Sequence, residues 1–277
     1  MKIRKWIKGV LVVGLLAFLL NSFHMITVQA DKKQQPITLK KEALVMVPGT
    51  GASVNRFDQL LAQLQKTNTI DVLKITVQTD GQLTISGKLT EENHQPIIVI
   101  GFADSSEESV PQQAEWFQKA IHYLQQTYSV QKYNFLGHSN GGLVMTDYLE
   151  YVRLSIDPVP EKIIFLGTPF NDVGWKYNEM GGTFTTIKEN SVVFTRYLAK
   201  SFRLPQAIEL INVAGDVTTG SSDGTVPVTS VLAGQLLYEN SRSYQEIVLT
   251  QKAKHSQLVT NPTVVALLQQ FFWSEKK

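Results

Sequence analysis

The chain has 277 residues, with 26 basic and 24 acidic side chains, 43% hydrophobic residues and no cysteine. So even a charge balance offers no clustered basic face for nucleic acid, and the lack of cysteine excludes disulfides and thiolate metal sites. The length suits one large α/β domain with a sizeable core.

The first segment carries Lys2, Arg4, Lys5 and Lys8, then the apolar run Gly9 to Leu20. That run is too short for a comfortable membrane span of about 20 residues. Val28-Gln29-Ala30 places small residues at −3 and −1 ahead of Asp31, the pattern of a cleaved export signal. Residues 1–30 therefore read as a signal peptide. An uncleaved N-terminal anchor, which would keep the protein near a membrane, is the competing reading, because Asn21 to Val28 is still fairly apolar. Without the leader, 22 basic residues face 24 acidic ones, so the small positive charge of the full chain belongs to the leader. An exported chain without cysteine suits a secreted or surface protein of a Gram-positive organism.

Residues 31–277 read as a single domain. Asp31 to Thr38 is a polar tether. Ala43 to Val47 has the look of a buried strand, ending at the turn-rich Pro48-Gly49-Thr50-Gly51-Ala52-Ser53. Arg56 to Gln65 carries Phe57, Leu60, Leu61 and Leu64 at helical spacing. Val72 to Val77 and Leu83 to Ile85 alternate around Thr79-Asp80-Gly81, a hairpin signal. Pro96 to Phe102 is a continuous apolar run of the kind buried on both faces of a sheet. Pro111 to Tyr128 follows as a helix. Next come a strand at Tyr133 to Leu136 and a helix-like run from Leu143 to Leu149, then a strand at Lys162 to Leu166. The stretch 170–205 shows no strand pattern but is rich in aromatics, and reads as a lid insertion. Strands at Ile208 to Val213 and Gln245 to Leu249 and a helix at Pro262 to Phe272 complete the alternation. Strands alternating with helices predict a mostly parallel sheet covered on both faces.

Between the strand ending at Leu136 and the helix lies Gly137-His138-Ser139-Asn140-Gly141. A Gly-x-Ser-x-Gly stretch in a strand–turn–helix context is the setting of a nucleophile elbow, with Ser139 as nucleophile. A serine hydroxyl needs a base within reach, and in the Ser…Asp…His chain order of such a site the base lies last. Of the five histidines, only His255 lies downstream, in Lys254-His255-Ser256 after the last strand. His138 flanks the nucleophile, but the turn should aim its ring elsewhere. The acid should follow the strand ending near Ala214, where Asp216 and Asp223 both qualify. Asp223 is preferred, because Gly224-Thr225-Val226-Pro227 makes a turn that can lift its carboxylate. Asp216 reads as a turn cap or, together with Asp223, as part of a calcium loop. The oxyanion donors are expected from the amides of Asn140 and Thr50, although Ser53 or Asn55 capping the following helix explains the same loop. Trp175, Tyr177 and Phe184 are candidates for a substrate pocket, while most aromatics of the insertion should bury its own small core.

These residues together resemble the exported α/β-hydrolases known as the "cell surface hydrolase" group of lactic-acid and related Gram-positive bacteria. The resemblance rests on Pro48 to Ser53 with Asn55-Arg56-Phe57, on Gly137 to Gly142, on Gly167-Thr168-Pro169-Phe170, on Ser222 to Pro227 and on His255-Ser256. It covers nearly all of the chain after the leader. It implies an α/β-hydrolase fold and places Ser139, Asp223 and His255 in catalytic roles. One departure is Pro48-Gly49, where many such hydrolases have His-Gly. The expected activity is hydrolysis of a small-molecule or lipid-like carboxylic ester through an acyl-enzyme, with no cofactor, metal or nucleic acid involved. Amide or peptide hydrolysis on the same residues is the near alternative, and a non-catalytic surface binding protein on this scaffold is the distant one.

Overall fold

Eight strands form one twisted layer in the order β3-β2-β4-β1-β5-β6-β7-β8 in the computed structural model, which describes residues 35–178, 187–217 and 221–273. The expected signal segment and Phe184 lie outside the described residues. Within Pro36–Lys277 these residues make one compact unit. The strands are β1 (Ala43–Val47), β2 (Ile70–Val77), β3 (Leu83–Gly87), β4 (Gln95–Phe102), β5 (Lys132–His138), β6 (Val159–Leu166), β7 (Glu209–Gly215) and β8 (Ser243–Leu249). Pairing is parallel throughout except for the β2–β3 hairpin. The Asp80-Gly81 turn makes that hairpin, with Gly81 at φ 83°, where a side chain would be strained.

Helices cover both faces, as an α/β-hydrolase fold requires. On one face α1 (Asp58–Leu64) and α7 (Pro262–Trp273) bring Leu60, Leu64, Val264 and Leu268 against Leu44 and Met46 of β1 and Ile97 and Val99 of β4. On the other, α2 (Val110–Tyr128) and α3 (Asn140–Asp147) press Phe117, Ile121 and Val144 onto Val45, Val47, Ile98 and Ile100. The alternation of β1 between these two layers explains why each of its five residues is buried. Each large apolar side chain moved out of water contributes roughly 1.5–3 kcal/mol, so the central strands dominate the stability.

The chain enters the sheet at β1 and builds β2, β3 and β4 on one side. It then crosses to β5 and builds outward to β8 on the other. The direction reverses between β1 and β5, so the loops leaving these neighbours diverge and leave a crevice at their carboxyl ends. Val47 pairs with Gly137, so both loops start at the same height.

The β6–β7 connection holds the insertion. Asn171 Nδ2 donates to the carbonyls of Tyr177 and Glu189, while the Ser191 amide donates to Asn171 Oδ1, and these bonds tie the two described legs of the loop together. It continues into α4 (Val192–Leu198), capped by Ser191 Oγ on the Phe194 amide. Among the described residues its aromatics do not form a core of their own. Phe194 and Tyr197 are wholly buried in the main core, whereas Phe202 stays exposed. Tyr197 is drawn inward by its hydroxyl, which donates to Asp147 Oδ2 at 2.7 Å, and Asp147 also pairs with Arg196. Two short helices that the sequence pattern does not announce, α5 (Val228–Leu232) and α6 (Gly234–Tyr238), bridge β7 to β8. Among the described residues no helix is long and apolar enough to cross a membrane.

Candidate active site

Ser139 sits at the turn between β5 and α3 with φ 55° and ψ −132°. A non-glycine residue there costs of order 1–3 kcal/mol, and the packing around it has to hold it. The flanking glycines make that possible by close approach. A Cβ on Gly137 would lie 2.7 Å from the Gly142 nitrogen, and one on Gly141 would lie 2.2 Å from the Val47 carbonyl oxygen. The Ser139 amide donates to the Leu166 carbonyl at 2.9 Å, which anchors the turn to β6. Ser139 itself is half-buried at the carboxyl edge of the sheet.

The loop after β1 lies directly on this serine. A Cβ on Gly49 would fall 2.5 Å from Ser139 Cβ and 3.0 Å from its Oγ. Asn140 Nδ2 donates to Thr50 Oγ1 at 2.6 Å, binding that loop to the start of α3. The backbone amides of Thr50 and Asn140 have no acceptor among the described residues. Ser53 and Asn55 do not cap α1. Phe57 holds the N-cap position without a side-chain bond, and Asn55 Oδ1 accepts from Lys74 Nζ instead.

Asp223 and His255 meet. His255 Nδ1 lies 2.6 Å from Asp223 Oδ2, and the His255 amide donates to the Asp223 carbonyl at 3.0 Å. Asp223 Oδ1 accepts from the amides of Thr225 and Val226 at 2.9 and 2.7 Å, the work of the Gly224 turn. A carboxylate accepts, so Nδ1 carries the proton and Nε2 keeps its lone pair. Both oxygens of Asp223 are thus engaged by protein donors, and no metal-binding cluster occurs among the described residues. Asp216 instead accepts from the Ser221 amide, the turn-capping role foreseen for it.

His138 differs from expectation. Its ring is buried and lies 4.7 Å from that of His255, centroid to centroid. Burial, reinforced by the nearby His255, pushes its pKa down to about 3. Sequence reasoning also passed over Arg56, whose Nη2 donates to the Ser256 carbonyl at 2.6 Å. Neither residue bears a catalytic pattern of its own, and only the fold brings them to His255.

Of the expected pocket aromatics, Trp175 is 46% exposed and Tyr177 packs against Gly174 under the Lys176 ammonium. A crevice of about 160 Å³ opens along α3, and neither aromatic is among its walls. Val110, Pro111, Leu143, Pro169, Val193 and Tyr197 line it, together with the charged Glu107, Asp147, Asp172 and Arg196. Leu143 stands one helical turn beyond Ser139. Pro169 follows Gly167, where a Cβ would lie 3.1 Å from His255 Nδ1.

Comparison with known proteins agrees with this architecture. A protein from Lactobacillus plantarum WCFS1 whose name describes a cell surface hydrolase is 32% identical, with a TM-score of 0.71, covering 86% of this chain and 93% of that one. The product of lin2722 from Listeria innocua is 26% identical with a TM-score of 0.78, covering 86% and 96%. No curated protein matches the chain. Residues 31–275 match the family described as alpha/beta hydrolase of unknown function, DUF915, and the chain belongs to that family.

Proposed function

We propose that the protein is a serine hydrolase that cleaves carboxylic esters through an acyl-enzyme. The single observation that carries this reading is the Asp223–His255 pair, whose imidazole lies 4.7 Å from that of His138, the residue preceding a serine held at φ 55° on a strand–helix elbow. Ser139 Oγ attacks the ester carbonyl carbon while its proton passes to His255 Nε2. The carbonyl oxygen becomes an oxyanion, and the amides of Thr50 and Asn140 receive it. Collapse expels the alcohol, which takes the proton from Nε2, and leaves the acyl group on Ser139. Water repeats the sequence, giving its proton to Nε2 and releasing the acid. Asp223 fixes the imidazole tautomer and stabilises the imidazolium without taking the proton.

The crevice beside α3 suits the acyl group. A cavity of about 150 Å³ is enough for a benzene-sized guest, so short acyl chains fit and long ones must project outward. With the full chain and a p-nitrophenyl ester series from acetyl to palmitoyl, the expected result is turnover that peaks at short chains and vanishes in Ser139→Ala. A fluorophosphonate probe should label the wild type and not the variant. Absence of both turnover and labelling would overturn the reading, while labelling without ester turnover would point to amide hydrolysis on the same residues.

A further inference from the structure

The segment bearing His255 is fixed at more points than its pairing with Asp223 needs. Its amide and Nδ1 both go to Asp223. Its carbonyl lies 3.0 Å from His138 Nε2, and the next carbonyl, that of Ser256, accepts from Arg56. A carbonyl only accepts, so His138 carries its proton on Nε2. The Nδ1 of His138 has no partner among the described residues. The two donors reach His255 from opposite halves of the fold, His138 from the end of β5 and Arg56 from the loop after β1.

We propose that His138 and Arg56 are positioning residues for His255, clamping successive carbonyls so that its ring keeps Nδ1 on Asp223 and presents Nε2 to Ser139. The proposal rests on the triad reading above. An imidazole held only at one edge by a carboxylate still swings with its backbone, and misplacement by about 1 Å costs on the order of a hundredfold in rate. The charge pattern suits the task. A cation stacked on His255 would oppose its protonation during attack, and burial keeps His138 neutral across the working pH range. The positive charge of Arg56 is spent one residue further along, on Ser256. The titratable or charged groups facing His255 are thus Asp223, His138 and Arg56.

The test uses the full chain labelled with 15N-histidine, as wild type, His138→Phe and His138→Gln. Phe keeps the ring and loses the donor, whereas Gln keeps an N–H of similar reach. Two readouts are taken: the position and width of the His255 Nδ1–H resonance, and kcat and KM on p-nitrophenyl acetate. In His138→Phe we expect kcat about tenfold to a hundredfold lower at nearly unchanged KM. The His255 Nδ1–H signal should also broaden, because its contact with Asp223 is loosened. His138→Gln should restore both. Wild-type kcat and Nδ1–H signal in His138→Phe would overturn the proposal, and so would equal loss in Phe and Gln, which would mean packing alone. If His138→Phe does not fold, Arg56→Met carries the same NMR test. Lack of Ser139-dependent turnover in the wild type sinks the triad reading alone, since the resonance reports the clamp without it.

Discussion

Asp223 binds both of its oxygens to fixed donors, and the division of labour between them makes a sharp prediction. Two amides hold Oδ1, from Thr225 and Val226, so only Oδ2 is turned to His255. In Asp223→Asn the side-chain oxygen stays with the two amides, and the new NH2 faces Nδ1. A donor there forces His255 to carry its proton on Nε2, which disables it as a base. We expect kcat to fall about 10⁴-fold with a near-normal thermal transition, measured on p-nitrophenyl acetate alongside a melt. A loss of less than tenfold would hand the acid role to another carboxylate. At this scale the sequence was informative where chemistry forces residue type. Ser139, Asp223 and His255 could be picked by chain order and elimination. His138 and Arg56 could not, because a donor to a backbone carbonyl leaves no pattern in the sequence. Trp175 and Tyr177 had less to go on, because aromatic content says nothing about which way a loop turns its rings.

At the scale of elements, α3 has a consequence beyond following Ser139. It widens into a π turn at Tyr148–Val152, and Glu150 within that turn is fully buried, with neither carboxyl oxygen bonded among the described residues. Burial, followed by the charge of Asp147, raises its pKa to about 8 against the opposing pull of Arg196 and Arg203. The folded state thus holds a proton that the unfolded chain releases above its ordinary pKa of 4.5. The stability tied to that proton is complete below pH 4.5 and is lost as pH rises towards 8, with a slope of about 1.4 kcal/mol per unit. Glu150→Gln imitates the protonated form. It should leave the melting temperature nearly unchanged at pH 4.5 and raise stability by roughly 3–4 kcal/mol at pH 7.5. An equal effect at both pH values would show that Glu150 is not the titrating group. Strands β1 and β4 were legible because burial on both faces demands unbroken apolar runs. Helices α5 and α6 were not, since five residues are too few to show a period. The π turn is equally silent in sequence, because one extra residue per turn shifts the apolar phase without erasing it.

For the whole molecule, a mostly parallel sheet was implied by alternation, and the family and fold follow the expectation drawn from the assembled motifs. What the alternation could not give is the point where the chain reverses direction. That reversal between β1 and β5 has a bearing on time as well as on space. The bonds that assemble the site join residues 32, 90 and 117 positions apart, at Asp223–His255, Thr50–Asn140 and His138–His255. Contacts of such separation are slow to form, because loop closure must precede any gain from them. Helical turns and local hairpins will be present well before the site exists. After dilution from denaturant, the far-ultraviolet circular dichroism signal should therefore recover first, and fluorophosphonate labelling of Ser139 only in a later phase. Coincident recovery would mean that the long-range closures form together with the helices. A chain released half-folded would accordingly be inert towards esters, and hydrolytic competence would mark the moment at which its two sheet halves have joined.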